Sequence, residues 1–105
     1  MSRTILMNAF SFQMCVGTEG VIRWKRMTPD QVSSIEGIES VIGRENVARV
    51  LSNDLKKEIK MNRANIELED GDSLIIAQVI GGKLPKDATE LPDGYKITYT
   101  KASLV

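Results

Sequence analysis

The chain contains no histidine, and that absence narrows its chemistry more than any residue present. Histidine is the side chain whose unperturbed pKa falls between about pH 5 and 8. General acid–base work would fall to Asp, Glu, Lys, Tyr or Cys, and histidine-ligated metal sites are excluded. Cysteine occurs once, at Cys15. One cysteine forms no intrachain disulfide and builds no zinc site, which fits a reducing cytoplasm. The ordinary reading of Cys15 is a small buried apolar side chain; a reactive nucleophile there lacks a histidine to activate it. No apolar run approaches the roughly 18–20 residues of a membrane span, so no membrane partner is expected. One early arginine and no A-x-A-like cleavage site argue against a signal peptide. An excess of either charge is missing too: 14 basic side chains balance 14 acidic ones. A nucleic-acid binder usually shows a basic excess, so no duplex partner is expected, while a small anionic ligand at one local site remains open.

What is present fits one domain over residues 1–105. The apolar and charged shares, 42% and 27%, are those of a globular protein. A chain this short buries roughly 60–70% of its extended surface, and dimerisation would bury more. Residues 3–7 form an apolar run, read as a strand buried on both faces. Asn8-Ala9-Phe10-Ser11 ends it as a turn. Residues 21–27 alternate, with Ile22 and Trp24 facing one way and Arg23 and Lys25 the other, which predicts a half-buried strand. Thr28-Pro29-Asp30-Gln31 carries an N-cap, a proline at the first helical position and a capping-box glutamine.

The clearest helix starts near Gly43 or Arg44. Val47, Val50, Leu51, Leu55 and Ile59 make its apolar stripe, and Lys56 and Lys57 fall in its last turn. Residues 62–69 alternate with Ala64, Ile66 and Leu68 inward, and Asp70-Gly71 signals a hairpin into the central strand at 74–80. Gly81-Gly82-Lys83-Leu84-Pro85-Lys86 is a basic loop, and Tyr95, Ile97 and Tyr99 mark a last strand. The sum is an α/β fold: a small mixed sheet of about five strands flanked by two or three helices.

Three loci have the chemistry to hold an anion. Asn8, Ser11 and Gln13 follow a buried strand, where open α/β sheets tend to place ligands; an ordinary Asn/Ser turn explains them as well. Gly43 and Arg44 open the long helix, where free N–H groups, the dipole and a forked cation suit phosphate; a plain helix start with a solvated arginine is the alternative. Arg63, Lys83 and Lys86 could clamp a phosphate or simply be solvated. No P-loop or dinucleotide fingerprint is present, and the Asp70/Asp72 spacing does not fit an EF-hand. No cofactor and no metal are expected.

The order of several short motifs resembles the viral ring nucleases, anti-CRISPR proteins of archaeal viruses, phages and prophages. The motifs are the opening strand with Asn8-Ala9-Phe10-Ser11, then Ser40-Val41-Ile42-Gly43 before a helix, then Asn62-Arg63, then Leu68-Glu69-Asp70-Gly71-Asp72-Ser73-Leu74. They span residues 3–84. The resemblance implies a homodimeric α/β unit that binds cyclic tetra-adenylate, the second messenger of type III CRISPR defence, across the dimer interface. It implies metal-free cleavage in which a ribose 2′-hydroxyl attacks its own phosphodiester and a histidine after the Ile-Gly pair protonates the leaving oxygen. Carried over, Asn8, Ser11, Gln13, Gly43, Arg63 and Lys83 match ligand-binding positions. Gln13 stands where asparagine is common and Lys83 where arginine is usual; Lys86 stands near an expected acid. Arg44 takes the place of the catalytic histidine.

Arginine keeps its proton at neutral pH, so it stabilises phosphate charge without acting as a general acid. Such an acid is typically worth 10²–10⁴-fold in rate, roughly. The resemblance therefore implies a cytoplasmic sponge (in the host cytoplasm if the gene is viral) that sequesters a cyclic oligonucleotide, with no assigned catalytic residue. The alternatives are a metal-independent phosphodiesterase with Lys83 as the acid, and an interaction module that has lost the ligand.

Overall fold

The computed structural model describes residues 3–105 as one mixed sheet with its helices on one face. The elements run β1 (Thr4–Met7), β2 (Ile22–Met27), α1 (Pro29–Ser33), β3 (Ile38–Ser40), α2 (Glu45–Leu55), β4 (Ser73–Ile80) and β5 (Lys96–Leu104), with a short 3-10 helix at Phe12–Met14. The strand order is β2-β5-β4-β1-β3. β1 is parallel to both β3 and β4, and β5 runs antiparallel to β4 and β2. The α/β architecture with a mixed five-stranded sheet agrees with the sequence reading, and the described residues form two α-helices besides the 3-10 turn.

The sheet's two faces are filled differently. Leu6, Ile75, Ala77 and Tyr99 face α1 and α2, meeting Val32, Val47, Val50, Leu51 and Leu55. Ile5, Met7, Leu74, Ala102 and Leu104 face the other way, covered by loop residues Phe10, Met14, Ile66 and Leu68. Tyr99 locks sheet to helix: its hydroxyl donates to Asp54 of α2 at 2.6 Å. Burial above all, then the bond to the Asp54 carboxylate, holds the phenol's pKa well above its usual value.

The capping box of α1 forms as the sequence indicates. The Thr28 hydroxyl accepts from the Gln31 N–H, and the Gln31 side chain accepts from the Thr28 N–H. α2 departs from expectation at its end. The apolar stripe predicted helix through Ile59, yet α2 stops at Leu55, and Lys56 takes the left-handed conformation at φ 53°. Ser52 replaces the missing turn. Its hydroxyl donates to the Ala48 carbonyl at 2.7 Å and accepts from the Ile59 N–H at 2.8 Å, so Ile59 reaches the same core outside the helix. Lys57 caps α1 instead of α2, donating to the carbonyls of Ser33 and Ile35. A lysine at positive φ carries a backbone cost that glycine avoids. Lys56→Gly is expected to stabilise the fold by roughly 0.5–1 kcal/mol, seen as a higher urea midpoint at unchanged slope.

Three other expectations are corrected. Residues 62–69 form no strand: Met61 and Leu68 make single-residue bridges to Ile42 and Cys15, and Ala64 is exposed. The Asp70-Gly71 turn exists, with the Asp72 N–H donating to Glu69 O and Gly71 at φ 94°, but it closes no hairpin. The place beside β4 belongs to β1, held at its base by Arg3 on Asp72 at 2.7 Å. β2 is an edge strand rather than a half-buried one, with Trp24 64% exposed.

The Arg3 guanidinium beside Asp72, helped by the Glu69 N–H, holds the Asp72 carboxyl below its ordinary value despite burial. A depressed folded pKa stabilises above the unfolded carboxylate value and is lost as pH falls through the folded one. Acid titration of the urea midpoint should therefore fall more steeply below about pH 4 for the native chain than for Asp72→Asn.

Candidate functional site

Three parallel strands end on the same side of the sheet, and the segments that follow them carry most of the expected ligand residues. β1 ends at Met7 and releases Asn8. β3 ends at Ser40, and the chain then runs through Ile42 and Gly43 to Arg44 and α2. β4 ends at Ile80 and leads through Gly81 and Gly82 to Lys83. This is the carboxyl end of the parallel strands, where α/β sheets leave a crevice.

Arg44 is the N-cap of α2, extended at φ −129° and ψ 131°, and its side chain caps nothing. It is exposed and makes no ion pair among the described residues. Nearby Glu45 is paired with Arg49 one turn on, at 3.3 Å, so the acid beside Arg44 is already partnered. Arg63 returns to the same place from beyond α2. Its Nε and Nη2 donate to the Gly43 carbonyl at 3.2 and 3.0 Å. This arginine thus has a positioning bond to the turn before α2 and an Nη1 with no partner among the described residues. A Cβ at Gly43 would meet Arg63 only at ordinary contact distance, 3.9 Å, so the fold itself does not demand glycine there.

The loop after β4 is strapped onto the start of α2. The Asn46 amide donates to the carbonyls of Leu84 and Pro85, and Arg49 donates to those of Lys86 and Ala88. Tyr95 anchors the other side, its hydroxyl donating to Lys83 O at 3.0 Å. Gly81, at φ 142°, lies so close to the Tyr95 ring that a Cβ would come within 2.7 Å of it. Lys83 and Lys86 are exposed and unpaired among the described residues. Sequence reasoning missed the straps. Their only trace was the i, i+3 placement of Asn46 and Arg49 on one side of the helix.

The first locus divides. Asn8 is half-buried at the end of β1. Ser11 caps the short 3-10 helix, its hydroxyl accepting from the Gln13 N–H at 3.3 Å, so the turn reading describes its present bonding. Gln13 is exposed on that helix, and the segment packs on the loop-covered face with Phe10, Met14 and half-buried Cys15. The structure therefore gathers Gly43, Arg44, Arg63 and Lys83 around the start of α2. It sets Ser11 and Gln13 toward the opposite face. A groove of about 630 Å³ on that face is lined by Phe10, Phe12, Cys15, Trp24 and Thr100 and contains none of the expected ligand residues. No described helix is long and apolar enough to cross a membrane.

The family profile of the STIV B116-like proteins matches residues 4–96. The chain belongs to that family. Among its relatives is the uncharacterized protein 26 of Sulfolobus islandicus filamentous virus (isolate Iceland/Hveragerdi). It is 33% identical over 100 residues, covering 88% of this chain and 85% of that protein. A solved structure, B116 of Sulfolobus turreted icosahedral virus, superposes with a TM-score of 0.80 over 96% of this chain and 98% of that one. At 18% identity that match speaks for the shared fold. The STIV B116-like family is a family of archaeal-virus proteins.

Proposed function

We propose that this STIV B116-like protein captures a cyclic oligonucleotide, cyclic tetra-adenylate or a related ring, and holds it with little or no cleavage. One observation carries the reading: a free guanidinium, Arg44, stands at the N-cap of α2, where the resembled ring nucleases place their histidine, in a chain without histidine. The helix start supplies N–H donors and the positive end of the dipole. Arg44, Arg63 and Lys83 supply cations with no carboxylate partner among the described residues, and Asn8 offers an amide for a base or ribose edge. No group in this set is a general acid matched to neutral pH, so binding outlasts turnover.

The ring is read by a homodimer. A cyclic ligand with rotational symmetry is matched by a two-fold interface, and each protomer would add its Ser11 and Gln13 to the other's cations. In a virus this protein would deplete the host's defence signal.

The test mixes purified protein with a panel of cyclic nucleotides and recovers them after heat denaturation. Cyclic tetra-adenylate is expected to disappear from free solution and return intact, and light scattering at micromolar protein is expected to give the mass of a dimer. Linear products made at about one turnover per minute would replace capture with catalysis, on the scale of slow enzymes. A monomer with and without ligand would remove the shared site.

A further inference from the structure

β2 is an edge of the sheet whose outer backbone groups are left unpaired. It pairs with β5 in unbroken register from Ile22↔Leu104 to Met27↔Tyr99, with no bulge and no proline. The Val105 N–H donates to Val21 O, while the Leu104 N–H turns the other way, to Asp72 O. Odd-numbered β5 residues therefore bond β2 and even-numbered ones bond β4. By the same alternation the N–H and carbonyl groups of Ile22, Trp24 and Arg26 point out of the sheet. No strand or loop bonds them among the described residues.

The two faces of this edge carry different chemistry. Trp24 and Arg26 lie opposite Ala102 and Thr100 on the loop-covered face, where the groove of about 630 Å³ opens. The indole is exposed there, with Arg26 against its ring and bonded to the Thr100 hydroxyl. Arg23 and Lys25 lie opposite Ser103 and Lys101 on the helix face. None of Arg23, Lys25 and Lys101 makes an ion pair among the described residues. Protection against self-pairing explains part of this. A second β2 laid antiparallel in any central register sets Arg23 on Arg26, Arg23 on Lys25 or Lys25 on Lys25, and like charges so placed are destabilising. Protection does not explain Lys101, half-buried behind Lys25 on an interior strand, or a bare indole on the edge itself. Both lie where an added strand would meet them.

We propose that β2 is the docking edge for an extended segment of another protein, one in which acidic and apolar residues alternate. The backbone selects a polypeptide: a row of outward N–H and carbonyl groups is matched by another strand and not by a phosphodiester chain. Successive side chains of a strand point to opposite faces. One row of the added strand therefore falls beside Arg23, Lys25 and Lys101, and the other beside Trp24 and the groove. Carboxylates in the first row relieve the repulsion between Lys25 and Lys101. Apolar side chains in the second cover the indole. A second copy of β2 would bring three cations of its own, so the occupant is a different protein. β2 and β3 are opposite edges of the sheet, and β3 is the strand that leads to α2, so this docking does not rest on ring capture.

Trp24 is the only tryptophan, so its fluorescence reports the edge directly. The probe is the hexapeptide acetyl-Glu-Val-Glu-Val-Glu-Val-amide. Its titration is expected to move the emission to shorter wavelength and to shield the indole from acrylamide, with affinity falling as salt rises. Lys25→Glu is expected to weaken that binding at least tenfold, about what one charged hydrogen bond is worth. The same variant sets a carboxylate opposite Lys101, so its urea midpoint should hold or rise, which separates lost binding from lost fold. The peptide with every amide N-methylated keeps its charges and cannot donate to the edge, so it should not bind. Capture of cyclic tetra-adenylate by Lys25→Glu should be unchanged, so failure here leaves the ring reading standing, and the reverse. The proposal is overturned if the peptide leaves the emission unchanged, or if Lys25→Glu binds it as well as the native chain. Equal binding of the N-methylated peptide, or of one with lysine in place of glutamate, overturns it as well. An indole already shielded before peptide is added would give the edge to a second copy, and equal binding of single-stranded dodecathymidylate would give it to nucleic acid; either result overturns the proposal.

Discussion

Arg63→Ala is expected to weaken binding of cyclic tetra-adenylate about ten- to a hundredfold, the range that follows from losing a hydrogen bond to a charged group. Two effects combine in this one side chain. The guanidinium brings charge to the start of α2, and its Nε and Nη2 hold the Gly43 carbonyl, fixing the turn from which Arg44 emerges. Arg63→Lys separates the two effects. It keeps the charge and loses the planar fork, so it should recover part of the affinity if charge dominates and little if the hold on Gly43 dominates. Calorimetry at low and high salt completes the test. Arg63 is exposed, so the charge component should shrink as salt rises, while the positioning component should not. Unchanged affinity in Arg63→Ala would confine the residue to a backbone tether and remove it from the ligand.

The parts of this molecule that were legible in its sequence are those decided within a few residues. The Thr28–Gln31 capping box, the start of α2 and its stripe from Val47 to Leu55 each depend on neighbours one turn away, and each is present. The misreadings arise where a distant contact overruled a local pattern. The stripe runs on through Ile59, but Ser52 closes the helix early and carries Ile59 to the core by another route. Alternation at 62–69 looked like a strand, yet β1 fills the sheet position beside β4, and the Asp72 carboxylate spends itself on Arg3 and the Glu69 N–H. β3 escaped notice because Ile38–Ser40 is too short to show a period. The candidate site divides the same way. Arg44 at a helix start was readable from one dimension. The return of Arg63 to Gly43 and the straps from Asn46 and Arg49 span 20 to 39 residues and leave almost no local trace.

On the proposed capture reading, Arg44→His is expected to convert holding of the ring into cutting of it. The N-cap position fixes the geometry. Residue 44 sits in extended backbone with its side chain free of any capping bond, so an imidazole there would be free to face whatever occupies the helix start. In the proposed complex, Arg63 and Lys83 would offset phosphate charge and the ring's own 2′-hydroxyl would be the nucleophile, so only the acid is wanting. A placed general acid is typically worth at least about 10²-fold, and that is the expected gain in single-turnover cleavage of radiolabelled cyclic tetra-adenylate without added metal. The rate should favour mildly acidic pH. The positive end of the α2 dipole disfavours an imidazolium and lowers the pKa of the new histidine, so its acid form is populated only below the ordinary value near 6.5. Lys83→Ala in the same background tests the competing route. If Lys83 were the acid, the native chain would cut and Lys83→Ala would abolish that cutting, whereas a capture protein shows no cleavage for Lys83→Ala to remove. A histidine variant that binds the ring and leaves it whole would mean that residue 44 does not reach the leaving oxygen. The ring would then lie elsewhere than at the start of α2.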